Sequence, residues 1–418
     1  MRVAIITESF PPDVNGVAHC VLRVAENLVA RGHQPLVVAP QPPRSTRARP
    51  AAKDPASLRY AVVRVPSVPL PGYRSFRLGL PSHRLRDALA GHGTEVVHLA
   101  SPVVLGAHGA AVAGQLGLPV VAVYQTDLPS YARAYRLGRA GEALAWRWLR
   151  GIHNGSARTL APSTVTATGL LGRGIGSVWL WGRGVDTVRF DPARRSPQIR
   201  AQLAPGGELI AGYVGRLATE KRVELLVKIT ALPRVRLVIV GAGPAGAMLR
   251  RHLPDAVFLG ERRGDELAAV YASLDVFVHS GPYETFGQTL QEAAASGLPV
   301  VAPAAGGPLD LVDDGVTGFL VPPGDPDAFA DAVARLAADP ALRAAFGAAG
   351  RRRVLGRTWT ALTDELIGHY AAVLGLTHRP AGERRARPPG ERRPAGPARA
   401  SSRPGAGGTG DDLSGFLA

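Results

Sequence analysis

Val276-Phe277-Val278-His279-Ser280-Gly281-Pro282-Tyr283-Glu284-Thr285-Phe286-Gly287-Gln288-Thr289-Leu290-Gln291-Glu292-Ala293 begins as an apolar sheet segment and ends in helical spacing, so it reads as strand, turn and helix. Glu284 and Glu292 flank the junction, and two carboxylates there suggest a polar ligand. On one continuous helix they would stand about 12 Å apart in height and roughly 80° apart around the axis, which suits neither a metal nor a shared proton. The better reading puts Glu284 in the turn and Glu292 in the second turn of the helix. Gly287 and Gln288 then open that helix, where unpaired backbone N–H groups and the dipole favour an anion such as a diphosphate. A polyhydroxylated ligand with a diphosphate in its middle fits both halves of such a site.

Upstream, Gly212-Tyr213-Val214-Gly215-Arg216-Leu217-Ala218-Thr219-Glu220-Lys221 also follows an apolar run, Leu209-Ile210-Ala211. Lys221 is one of only three lysines in a chain otherwise given over to arginine. A diphosphate leaving a sugar gains negative charge as its bond breaks, and positioned cations stabilise that charge. Arg216 and Lys221 are the candidates for this role. Exposed ion pairs on a helix face are the alternative reading of both motifs.

Apolar segments alternate with helical stretches throughout. Leu36-Val37-Val38-Ala39, Glu95-Val96-Val97-His98-Leu99 and Pro119-Val120-Val121-Ala122-Val123-Tyr124 lie in the first half. Leu237-Val238-Ile239-Val240, Val257-Phe258-Leu259 and Pro299-Val300-Val301-Ala302 repeat the pattern in the second. Strands buried on both faces and alternating with helices imply parallel sheets, an α/β class. At 418 residues the chain exceeds what one core usually supports, so two domains are expected. Glycine, proline or charge interrupts the apolar stretches before they could span a membrane, and no signal peptide is expected, since Arg2 precedes a short strand. The single Cys20 allows no internal disulfide, which fits a reducing cytoplasm.

One competitor is a FAD- or NAD-dependent oxidoreductase. Gly241-Ala242-Gly243-Pro244-Ala245-Gly246 follows a strand and matches the dinucleotide fingerprint, with Glu261 as the ribose-binding acid. Against it, the next helix is cut short by Pro254, and the reading leaves Glu284, Glu292, Arg216 and Lys221 unexplained. A tight turn packing helix on strand accounts for the glycines.

Together the two acidic and basic motifs resemble the retaining glycosyltransferases of family 4. The resemblance continues through Met1-Arg2-Val3-Ala4-Ile5-Ile6-Thr7-Glu8-Ser9-Phe10-Pro11-Pro12-Asp13-Val14-Asn15-Gly16-Val17, Trp181-Gly182-Arg183-Gly184-Val185-Asp186-Thr187-Val188-Arg189-Phe190-Asp191-Pro192 and Asp313-Asp314-Gly315-Val316-Thr317-Gly318-Phe319-Leu320-Val321-Pro322-Pro323-Gly324-Asp325. It implies the GT-B fold, two facing Rossmann-like domains with a catalytic cleft between them. Residues 1–195 would form the acceptor-binding domain and 196–356 the nucleotide-sugar domain. Residues 357–376 would be a helix crossing back to the first, with prolines 192, 197 and 205 punctuating the boundary. The tail, 377–418, is Arg, Pro, Gly and Ala with almost no large apolar residue, and is expected to be disordered.

Carried over by motif, the resemblance implies that Glu292 hydrogen-bonds the ribose and that Glu284 contacts the donor sugar's hydroxyls. Phe286, Gly287 and Gln288 would offer backbone N–H groups to sugar and phosphate, and Arg262 would lie in the loop that receives the base. Asn15-Gly16 would approach the phosphate from the opposite domain. Relatives often have two glycines there, so Asn15 is a departure, to be accommodated by asparagine's tolerance of positive φ. A second departure is Val123-Tyr124-Gln125-Thr126-Asp127-Leu128-Pro129-Ser130-Tyr131, where many relatives place histidine at the position of Gln125 or Asp127. The Tyr-Gln-Thr-Asp pattern resembles the branch of bacterial GDP-mannose-dependent lipid mannosyltransferases, which points to GDP-mannose. Asp127 would stabilise charge at the anomeric carbon or orient the acceptor, or else act as a helix cap or turn aspartate. Retention in the family proceeds by front-face attack with the departing phosphate taking the acceptor's proton, so no protein nucleophile and no cofactor beyond the nucleotide-sugar is implied. No metal is expected, because Asp325-Pro326-Asp327 reads as a helix cap.

The net charge is +16, of which the tail's eight arginines against four acids contribute about a quarter, so the remainder is basic too. Arg133, Arg136, Arg139, Arg147 and Arg150 interleave with Tyr135, Leu144, Trp146, Trp148 and Leu149, and Tyr73-Arg74-Ser75-Phe76-Arg77-Leu78 mixes the same types. Cations with aromatics suit an anionic bilayer surface, implying a peripheral enzyme acting on a lipid or glycan acceptor at the cytoplasmic membrane face. In the alternative, Trp146 and Trp148 are core and the arginines ordinary solvated residues. No nucleic-acid recognition motif accompanies the charge.

Overall fold

Two parallel sheets account for nearly all the apolar runs. The computed structural model describes residues 1–13, 15–43, 58–70, 73–125, 138–376 and 384–385. The first half carries β1 (Arg2–Ile6), β2 (Gln34–Pro40), β3 (Ala61–Val65), a hairpin of β4 (Ser67–Leu70) and β5 (Tyr73–Gly79), then β6 (Val96–Leu99), β7 (Val120–Val123), β8 (Arg158–Ala161) and β9 (Val178–Leu180). The second carries β10 (Leu209–Val214), β11 (Val235–Val240), β12 (Val257–Gly260), β13 (Val276–Val278), β14 (Val300–Pro303) and β15 (Gly318–Val321). The inner strands β1, β2, β6, β7, β8, β10, β11, β13 and β14 are buried on both faces, which only helices on either side can provide.

The strand orders are β9-β8-β7-β6-β1-β2-β3 and β12-β11-β10-β13-β14-β15, each parallel throughout. Both are doubly wound, with order reversing between β1 and β6 in one and between β10 and β13 in the other. Ligands of open α/β sheets bind beyond the carboxyl ends of the strands at such a reversal. The run Gly212–Lys221 spans the carboxyl end of β10 and the loop after it, and Glu284 follows β13. The two motifs singled out in the sequence therefore flank the second sheet's reversal.

Separate clusters cover the two faces of each sheet. The helix Trp359–Val373 belongs to the first half's core: Trp359, Leu362, Leu366 and Tyr370 pack with Val3, Ile5, Val121 and Val123. The Tyr370 hydroxyl meets His98 Nδ1 at 2.7 Å, and Trp181 Nε1 donates to the Leu362 carbonyl at 2.8 Å. The end of the chain thus packs in the first half's core. Of the tail expected to be disordered, Arg384–Arg385 instead forms a strand, β16, antiparallel to Trp179–Leu180. An edge strand offers unpaired backbone groups to any extended segment, whatever its side chains, which composition alone does not reveal. The rest of the tail lies outside the described residues.

Candidate active site

Lys221 and Glu284 come from different loops and meet directly. Lys221 Nζ donates to Glu284 Oε2 at 2.6 Å, with the carboxylate side chain 20% exposed. Burial pushes the Glu284 carboxyl up, but the Lys221 ammonium, with His279 and then Arg183 behind it, overrides burial and holds it down at about 2. It is an anion at neutral pH. His279 Nε2 lies 3.7 Å from the same oxygen. The ring is buried, lies flat against Tyr213 at 6.4 Å between centroids, and is kept neutral, its pKa lowered to about 4 chiefly by burial. His279 was quoted in the sequence only as the end of a strand.

Glu292 differs sharply from Glu284. It stands in the second turn of the helix Gln288–Ala295, as expected, with Gly287 as N-cap at φ 103°. Burial raises its carboxyl to about 7, opposed by the Tyr271 hydroxyl, which donates to Oε2 at 3.1 Å, and by Gln288. Tyr271 is wholly buried and packs edge-on against Phe190 at 5.4 Å. No sequence signal marked Tyr271, because its partner is reached only through the fold. Phe286 is 2% exposed. Besides its place at the helix start, Gln288 donates through Nε2 to the Gly184 carbonyl at 3.1 Å, and Gln291 donates to the Arg183 carbonyl at 3.2 Å. The two glutamines tie this helix to the segment that precedes the second sheet.

The other candidates are placed less centrally. Arg216, in the loop after β10, pairs with Glu220 four residues on, a local ion pair but not one on a helix face. Arg262 pairs with Glu266 at 2.8 Å at the end of β12. Asn15 corrects an expectation: its φ is −156°, not positive. It caps the helix Gly16–Ala30, its Oδ1 accepting from Val17 and Ala18 N–H at 3.0 Å each and its Nδ2 donating to Ser9 Oγ at 2.6 Å. A side-chain oxygen able to satisfy orphan helix donors explains asparagine here better than backbone tolerance does. Gly16 opens that helix. Asp127, like the arginines 133 and 136, falls outside the described residues. Gln125 is described: its Nε2 donates to the Ala100 carbonyl at 2.7 Å, and its Oε1 accepts from Arg183 Nη2 at 3.0 Å. Asp325 caps its helix through Asp327 and Ala328 N–H, and the described residues contain no cluster of three or more potential metal ligands.

The Gly241–Gly246 fingerprint is occupied by protein. A Cβ on Gly241 would lie 1.9 Å from the Gly215 carbonyl oxygen, and one on Gly243 2.2 Å from that of Leu217. The glycines let this turn lie against the Arg216 loop, as the packing alternative expected, and nothing supports an oxidoreductase. In the first half, the buried Glu8 accepts backbone N–H groups from Gly79 at 2.9 Å and from Leu105, which joins the hairpin to the start of the helix Val104–Gln115. Burial raises its carboxyl to about 7.

Two doubly wound sheets, with acids and cations gathered at the reversal of the second and bridged to the first, define a two-domain glycosyltransferase of the GT-B type. Residues 14–189 match the family model described as Glycosyltransferase Family 4, and residues 195–353 match the one described as Glycosyl transferases group 1. A GDP-mannose-dependent alpha-mannosyltransferase of Mycobacterium tuberculosis is 49% identical over 90% of this chain and 97% of its own. A protein of the same description from Corynebacterium glutamicum is 43% identical over 91% of each. Among solved structures, HepE of Anabaena in complex with UDP superposes with a TM-score of 0.72 at 20% identity, covering 89% of this chain and all of that one. The sucrose-phosphate synthase of Thermosynechococcus elongatus gives a TM-score of 0.71 at 23% identity, over 90% and 100%. The chain belongs to glycosyltransferase family 4, and is an enzyme of that class.

Proposed function

We propose that the enzyme moves mannose from GDP-mannose to a lipid or glycan acceptor with retention at the anomeric carbon. The Lys221–Glu284 pair at the second sheet's reversal carries this reading, supported by the relatives that are 43–50% identical and described as GDP-mannose-dependent. Residues 196–356 receive the donor and residues 1–195 the acceptor. Glu284 is fixed as an anion and accepts from the sugar's hydroxyls, while Lys221 keeps an ammonium beside it. Glu292 accepts from the ribose, and the start of the helix Gln288–Ala295 faces the diphosphate. Arg262 borders the base and Asn15-Gly16 the phosphate from across the cleft. Arg216 adds charge as the diphosphate leaves, and Asp127 serves the acceptor or the anomeric carbon. The test is donor hydrolysis by the purified protein: GDP release from GDP-mannose should exceed UDP release from UDP-glucose, and the reverse preference would overturn the assignment.

The acceptor side favours a membrane-bound substrate at the cytoplasmic face. On the helix Gly138–Asn154, Trp146 stacks on Tyr124 at 6.4 Å under the Arg173 guanidinium, as a packed residue does, but Leu144 is 67% and Trp148 47% exposed. Arg147 and Arg150 flank them, the pairing of apolar and cationic groups that anionic bilayers attract. No helix among the described residues is long and apolar enough to cross a membrane, so the contact would be peripheral. Sedimentation with anionic liposomes, with and without residues 377–418, tests this, and no binding by either form would refute it.

A further inference from the structure

Arg183, which helps hold the Glu284 carboxyl down and donates to Gln125, occupies the seam between the two halves. It follows β9 in Gly182-Arg183-Gly184, where Gly184 is required by neighbouring backbone and Gly182 lies close to two side chains. A Cβ on Gly184 would lie 2.5 Å from the backbone of Trp359, and one on Gly182 2.5 Å from the Arg357 guanidinium and 3.3 Å from the Phe286 ring. The backbone after Arg183 is therefore clamped, and Gln291 holds its carbonyl at 3.2 Å. The side chain is fixed from the other end, donating to Gln125 Oε1 at 3.0 Å, with Nη1 only 2.8 Å from where a Gly16 Cβ would stand. Its charge acts on Glu284 in one direction and on His19 and Cys20 in the other. The guanidinium thus stands between the first-half residues that face the donor phosphate and the carboxylate that holds the donor sugar.

Its partner sets it apart from the other cations of the site. Lys221 is paired with Glu284 and Arg216 with Glu220, so part of the charge each brings is offset by its carboxylate. Among the described residues Arg183 forms no salt bridge; its hydrogen-bonded partner is a neutral amide. A departing diphosphate needs positive charge that is not already cancelled, held without reorganisation in a site closed to water. A planar fork with one edge on Gln125 still has donors to offer a phosphate.

We propose that Arg183 is a catalytic residue of the transfer, contacting the leaving diphosphate with the uncancelled charge of the cleft, while Gln125 holds its orientation. The inference rests on the GDP-mannose reading. In the step itself the bond from the anomeric carbon to the diphosphate oxygen breaks, and its electron pair stays on that oxygen. The acceptor oxygen, or water's, bonds to the anomeric carbon, and its proton passes to the departing phosphate. Arg183 stabilises the charge that appears on that phosphate.

The experiment is GDP release from GDP-mannose by the parent enzyme and by R183A and R183K, with circular dichroism as a check on folding. Removal of one such donor should lower kcat about 100-fold or more, with a smaller change in KM, and R183K should fall between. Millimolar guanidinium should restore part of the R183A rate and leave the parent's unchanged, which a merely structural role would not produce. If R183A does not fold, R183Q carries the same test. A folded variant with kcat within about threefold of the parent, or one whose lost rate guanidinium does not raise, overturns the role of Arg183 alone. A parent that releases no GDP overturns the donor reading beneath it.

Discussion

Replacing Lys221 by methionine keeps the length of the side chain and removes the ammonium that lies 2.6 Å from Glu284. In the parent burial raises the carboxyl, and that ammonium, with lesser help from His279 and Arg183, brings it down to about 2 against an ordinary 4.5, a net change of about 3 kcal/mol at about 1.4 kcal/mol per pKa unit in which Lys221 is the largest favourable part. Because the folded value is the lower one, this stability is present above pH 4.5 and is lost as the pH falls towards about 2. K221M should therefore melt below the parent at pH 7 by about 6–12 °C, taking about 2–4 °C for each kcal/mol in a domain of this size. The gap should close as the melts are repeated below pH 4.5. The double variant K221M/E284Q replaces both charges by neutral groups and should recover most of the lost stability, since an unpaired buried charge costs more than an absent pair. It should not recover donor hydrolysis, which loses both the cation and the carboxylate proposed to hold the sugar. Calorimetry over that pH range and a GDP-release assay measure the two outcomes. A melting gap that does not change with pH, or a double variant no more stable than K221M, would refute the claim that the charge pair is what holds this loop.

Glu292, at about 7, should make donor affinity depend on pH: KM for GDP-mannose should rise as pH falls below about 7, and the dependence should vanish in E292Q. Y271F removes the hydroxyl that favours the charged form and should move the inflection of the same KM profile upward. Asn15→Ala should lower stability by about 1 kcal/mol through loss of the helix cap, read as a drop in melting temperature, and Asn15→Gly by less. L144S/W148S should weaken sedimentation with anionic liposomes while GDP release in solution stays at the parent's level.

The alternation of strand and helix was legible because parallel strands are apolar on both faces, so Leu36–Ala39 or Leu237–Val240 stands out whatever surrounds it. The place of the second sheet's site was legible too, since Arg216, Lys221 and Glu284 follow strands directly. Partnership was not. The Arg216–Glu220 pair is local and follows from spacing, whereas Lys221–Glu284 joins loops 63 residues apart. Tyr271 and His279 act on the two acids from neighbouring elements, with nothing in their own sequence context to mark them. Arg183 left one trace, a cation between two glycines after an apolar strand, but its meaning depends on Gln125 and on the returning backbone at Trp359. The fingerprint at Gly241–Gly246 misleads for the same reason: a glycine that admits a pyrophosphate and one that admits a neighbouring carbonyl are written identically.

The return of the helix Trp359–Val373 to the opposite half has a practical consequence for anyone recombining these enzymes. The interior beside β1 and β7 is completed by a helix from the far side of the second sheet in sequence. Splitting the polypeptide near residue 195 would strip Trp359, Leu362, Leu366 and Tyr370 from the fragment that needs them. A chimera that exchanges donor specificity between two relatives should therefore take residues 196–356 from one parent, and both the opening half and the closing helix from the other.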